Sequence, residues 1–147
     1  MHALKLLQEN GCDLLKINNN GHGVLHKAAQ RGNKSVCDWL FPVIEKSHAR
    51  SSAYEWSIHH IGPDGEGCCP SDLCGIEGHT ELAYHIAELE CQMVKTLIVS
   101  PLPQWLSDAI DAERSSNGKY RNACIENPWG PGCGARRMAI ELLSFDE

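Results

Sequence analysis

Apolar side chains recur at helical spacing in several separate stretches of the chain. Val36, Trp39 and Leu40 share one face, and Leu82, Ile86 and Leu89 share another. Further on, Trp105, Leu106, Ala109 and Ile110 form a third stripe, and Ala135, Met138, Ala139, Leu142 and Leu143 a fourth. Residues three and four apart lie on one side of an α-helix, so each stripe predicts an amphipathic helix. The third is expected over 104–114 and the fourth over 135–143. Cys91 to Val99 extends the second, until Ser100-Pro101-Leu102-Pro103 breaks it. Between the last two helices, residues 115–134 are rich in Gly, Pro, Ser and Asn and read as a loop. The last helices are expected to cap the structure that precedes them.

The first half of the chain repeats itself. Gly21 and Gly67 are 46 residues apart, and so are Gly32 and Gly78. Each pair of glycines frames small residues, Ala28-Ala29 in one copy and Cys74-Gly75 in the other. A glycine opens a turn without Cβ penalty, a short helix follows, and a second glycine closes it. A longer apolar-faced helix comes next. The unit is turn–helix–turn–helix. Small residues on the short helix let a neighbour approach closely. A helix pair of this kind cannot bury its apolar flank alone, so the units must stack.

These segments resemble the ankyrin repeat. The family's T-P-L-H-x-A-A tract is matched by Gly23-Val24-Leu25-His26-Lys27-Ala28-Ala29, and more distantly by Cys69-Pro70-Ser71-Asp72-Leu73-Cys74-Gly75. The start of its outer helix is matched by Gly78-His79-Thr80-Glu81-Leu82. An outer-helix end and its following turn are matched by Leu4-Lys5-Leu6-Leu7-Gln8-Glu9-Asn10-Gly11-Cys12-Asp13, which leads at the right distance to Asn18-Asn19-Asn20-Gly21. The resemblance covers about residues 3–41 and 64–90. It implies an all-α fold: an ankyrin-like solenoid of stacked helix-turn-helix repeats, with an insertion over 41–62 and a helical C-terminal extension. It divides the chain into a half repeat over 1–17, a repeat with the insertion over 18–63, a repeat over 64–94, and the extension over 95–147. It also implies that His26 bonds backbone between adjacent repeats.

The match departs from the family in two places. The family period is 33 residues, so the spacing of 46 carries about 13 extra. They fall between Phe41 and Gly62, where Pro42 is expected to end or kink the outer helix and residues 51–60 to form a short extra helix. The chain also begins inside an outer helix, with Leu4, Leu6 and Leu7 lacking an inner partner. That reads as the tail of a longer array.

Composition narrows the functional classes. The 147 residues are 42% hydrophobic and 22% charged, and carry a formal net charge of −6, which argues against binding nucleic acid or an anionic membrane surface. The charge is uneven. Asp64, Glu66, Asp72, Glu77, Glu81, Glu88 and Glu90 follow one another with no Lys or Arg between them, a pattern that solvated helix faces usually produce. No secretory leader pattern or long apolar run is visible. Eight cysteines in a chain of this kind are expected to be reduced thiols, which points to the cytoplasm or nucleus.

Several residues invite chemistry. Cys68, Cys69, Cys74 and His79, with His59 and His60, contain zinc-ligand types but no CxxC knuckle. Cys–His pairing for nucleophilic catalysis lacks any surrounding signature. Gly130-Pro131-Gly132-Cys133-Gly134 before Arg136 and Arg137 lacks the lysine and the strand of a phosphate loop. The expectation is therefore no catalytic residue, no metal and no cofactor, and a function in binding another protein. A zinc- or redox-responsive module, or the accessory region of a larger enzyme, stand as alternatives. The family resemblance implies contacts from loop tips and inner helices. Those positions are Asn19, Asn20, His22, Gln30 and Arg31 in the first unit, and Gly65, Glu66, Cys68, Ile76 and Glu77 in the second.

Overall fold

A computed structural model describes residues 18–48, 59–96, 102–116 and 128–145. Among the described residues the bounded helices are α1 (Val24–Gln30), α2 (Lys34–His48), α3 (Pro70–Ile76), α4 (Thr80–Thr96), α5 (Gln104–Ser116) and α6 (Cys133–Phe145). No strand occurs among the described residues. The proposed half repeat over 1–17 and most of the extra helix over 51–60 lie outside them; residues 59–61 are helical.

The 46-residue period recurs in the backbone hydrogen bonds. Asn18 Oδ1 accepts from the amides of Asn20 and His22, and Asp64 Oδ1 accepts from those of Glu66 and Cys68. Gly32 N–H donates to the Ala29 carbonyl, and Gly78 N–H to that of Gly75. Asn33 N–H donates to the Ala28 carbonyl, and His79 N–H to that of Cys74. Gly32 and Gly78 hold φ of +71° and +89°, a left-handed conformation that closes a helix and that an L side chain resists. Each unit is thus a short helix, a tight reversal and a long helix.

Small side chains then decide the packing. Helix α1 packs on α2 and α3, and α3 on α4. Ala28 and Ala29 are buried on α1, and Cys74 on α3, so the two short helices lie side by side. The long helices add their apolar faces: Val36, Leu40, Phe41 and Ile44 from α2, and Ala83, Ile86, Met93 and Val94 from α4. Helix α6 lies against α3 and α4, and α5 against α6. Met138, Ala139 and Leu106 are fully buried there. All these residues belong to one core cluster.

Two helix ends differ from expectation: Pro42 does not end α2, and α6 starts before its apolar stripe. Helix α2 runs through Pro42 to His48. Proline removes a helical hydrogen bond at a cost of about 3 kcal/mol, but its ring is exposed here while Phe41 and Ile44 beside it are buried. Their burial, worth roughly 1.5–3 kcal/mol each, holds the next turns. Part of the insertion is therefore spent lengthening α2. Helix α6 also begins two residues earlier than its apolar stripe, at Cys133, because Gly130 and Gly132 already supply its first turn bonds.

Candidate functional site

The loop tips of the two units meet. Gly65 N–H donates to the Asn20 carbonyl at 2.8 Å. Beside this link lies an open cleft of about 470 Å³, lined by Asn19, Asn20, His22, Gln30, Asp64, Gly65, Glu66 and Leu73. Six of the ten sequence-derived contact positions come together there. Arg31, Ile76 and Glu77 are exposed at the ends of α1 and α3. Cys68 differs: its side chain is turned into the interior. Cys68 takes the position of His22 in the second unit, and an apolar thiol there follows the core rather than the surface.

Asp64 was not among those positions, yet it organises the cleft. Besides the two amides that it caps, its Oδ2 lies 2.7 Å from His22 Nε2. Partial burial raises the proton affinity of this carboxyl. The Cys68 amide, His22 and the Glu66 amide outweigh that effect and hold it below the usual carboxylate range. The available signal was its equivalence to Asn18, 46 residues earlier. A side chain that caps its own turn is a recurrent Asp/Asn habit.

Two junctions use different chemistry at equivalent positions, one between α1 and the segment that ends at Gly62, the other between α3 and the start of α6. In the first, His26 Nδ1 accepts from Gly23 N–H at 3.1 Å, so Nε2 carries the proton and donates to the Gly62 carbonyl at 2.8 Å. Burial pushes this imidazole down to about 4, against the pull of the Gly62 bond, so it is neutral. In the second, the residue 46 positions later is Asp72. Its Oδ2 accepts from Cys69 N–H and from Gly134 N–H, both at 3.0 Å, and its Oδ1 from Arg137 Nη2 at 3.0 Å. Arg137 also donates to Ser71 Oγ at 2.7 Å and to the Pro128 carbonyl, and its guanidinium lies 4.8 Å from the Trp129 ring centre. Ser71 donates from N and Oγ to the Glu90 carboxyl.

Of the seven acids between residues 64 and 90, Asp72 and Glu90 are therefore interior groups, whereas Glu66, Glu77, Glu81 and Glu88 are solvated. The charge pattern alone gave no sign of that split. The nearest signal was Asp72 standing where the other unit has His26. The glycine-rich turn before α6 also has its role here. Gly134 N–H is bound by Asp72, and Gly132 N–H donates to the Gly67 carbonyl at 2.8 Å. Those amides join protein to protein and leave no phosphate cradle.

Among the described residues no group of three or more His, Cys, Asp or Glu side chains is placed to share a metal ion. Cys74 Sγ donates to the His79 carbonyl, Cys69 abuts Gly134, and His60 abuts Gly23. Burial pushes the thiols of Cys68 and Cys74 up to about 11, and those of Cys37 and Cys91 to about 12. They are protonated at neutral pH and weak as nucleophiles. No helix among the described residues is long and apolar enough to cross a membrane. No protein-family model, curated protein or solved structure matches the chain.

Proposed function

We propose that the chain is a protein-binding module of the ankyrin-repeat type that catalyses no reaction. The observation that carries this reading is the cleft at the paired loop tips, where backbone turns with one hydrogen-bonding pattern present Asn19, Asn20, Gln30 and Glu66. Hydrogen-bonded turns fix the backbone that carries Asn19, Asn20 and Glu66, so little backbone ordering cost falls on binding. Arg31, Ile76 and Glu77, exposed at the C-terminal ends of α1 and α3, complete the proposed contact surface. The protonated, buried thiols favour a structural use of cysteine and suit a reducing compartment, the cytoplasm or nucleus.

Site-specific photo-crosslinking of the full chain in cells tests the reading. A probe at Asn19 or Glu66 is expected to capture a discrete protein partner, and one at Glu88 on α4 to capture none. Equal capture from Glu88, or none from the loop tips, contradicts it.

A further inference from the structure

Among the described residues, the junction between α3, α4 and α6 holds two carboxyls against one guanidinium. Glu90 and Asp72 are 1% and 0% exposed. Arg137 contacts Asp72 directly and reaches Glu90 only through the Ser71 hydroxyl. One cation balances one carboxylate, so with both acids ionised the pocket carries an uncompensated buried charge. Such a charge is costly unless it is neutralised by a proton.

The groups facing Glu90 come from three helices and one cap: Ser71, Asp72 and Cys74 on α3, Cys69 at its N-cap, Cys91 beside Glu90 on α4, and Arg137 on α6. The cysteines are neutral at physiological pH and Arg137 keeps its charge, so none of them supplies the missing balance. Among the described residues, α3 and α6 are linked through this cluster by Arg137 to Ser71 and Asp72 and by Gly134 to Asp72. Trp129 seals it by packing on the bare Cα of Gly75, with Tyr84 edge-on at 5.0 Å.

We infer that a proton held on Glu90 acts as a latch, so that docking of α6, with α5 packed on it, onto the second repeat is set by pH. Loss of that proton places a second negative charge under α6 and releases the helix pair. The flank of α3 and α4 that Gly134 and Trp129 cover is then bared, while α1 and α2 keep their packing. Burial pushes Glu90 up to about 8, against Arg137 and the Ser71 bonds, which places the release on the alkaline side of neutrality.

Hydrogen exchange of the full chain at pH 6 and pH 9, corrected for intrinsic rates, tests the latch. For a carboxyl that titrates near 4.5 when exposed and near 8 when docked, linkage raises the opening equilibrium about a hundredfold between those pH values. Amides of α6 are expected to lose protection by that order, those of α1 and α2 to keep theirs, and Glu90→Gln to abolish the difference. Uniform loss across all helices, unchanged protection of α6, or a pH effect that persists in Glu90→Gln overturns the inference. If Glu90→Gln does not fold, carboxyl-carbon NMR of the wild-type chain decides. A Glu90 midpoint near 8 supports the latch, and one near the ordinary carboxylate value overturns it.

Discussion

The two junctions along the helix stack share a backbone frame and differ in what crosses it. At the first, a neutral imidazole bridges two amide groups, Gly23 N–H and the Gly62 carbonyl. At the second, the equivalent position is Asp72, and the bridge is ionic: two carboxyls, a guanidinium and a hydroxyl. Both side chains accept from the amide three residues earlier, Gly23 or Cys69; the outward contact is reversed, His26 donating to a carbonyl and Asp72 accepting from an amide and a cation. A neutral bridge makes few demands on its surroundings. An ionic one requires every charge to be answered, and Glu90 is answered only indirectly. The first junction should therefore be the more permanent of the two and the second the more conditional.

The pH response separates them further. His26 binds its proton more weakly in the folded chain than in the unfolded one, so its contribution is present above about 6.5 and is lost as pH falls towards 4. Glu90 binds its proton more strongly when folded. Its contribution is present below about 4.5 and is lost as pH rises through 8.

The largest expected effect comes from removing Arg137, the cation of the second junction. Arg137→Met leaves the buried Asp72 carboxylate without its cation and should cost about 3–5 kcal/mol in chemical denaturation. A loss below about 1 kcal/mol would mean that the network does not hold α6. Gly75→Ala sets a methyl group into the Trp129 indole, and overpacking of this kind costs about 1–3 kcal/mol. Its melting temperature should fall well below that of Gly130→Ala, where an added Cβ meets nothing.

At the first junction, His26→Leu leaves Gly23 N–H and the Gly62 carbonyl unpaired, a loss of about 1–3 kcal/mol at pH 7. The smallest effect is expected at the surface. Arg31→Ala combined with Glu77→Ala should change stability by less than about 0.5 kcal/mol, yet weaken capture of a partner in an affinity pull-down. A double variant that unfolds would remove these residues from the contact surface.

The repeat frame was legible because glycine spacing, small residues and apolar stripes all report local backbone needs. Gly32 and Gly78 announce helix ends, and Ala28-Ala29 announces a close neighbour, without knowledge of anything distant. The loop-tip cleft was legible for the same reason, since Asn19, Asn20, His22, Gln30, Gly65 and Glu66 sit at fixed places in that frame. What crosses the second junction was not legible. Arg137 is 65 residues from Asp72 and 47 from Glu90, and nothing local to either acid signals burial. Pro42 misled because the cost of a proline is local, while the burial of Phe41 and Ile44 that offsets it is tertiary.

The most direct measurement is unfolding free energy from pH 4 to 9 for the wild type, His26→Leu and Glu90→Gln. The advantage of wild type over His26→Leu should grow from pH 4 to about 6.5. Its advantage over Glu90→Gln should shrink from about pH 4.5 to 8. Two differences that slope the same way, or stay flat, would contradict a stack joined by one neutral and one ionic bridge.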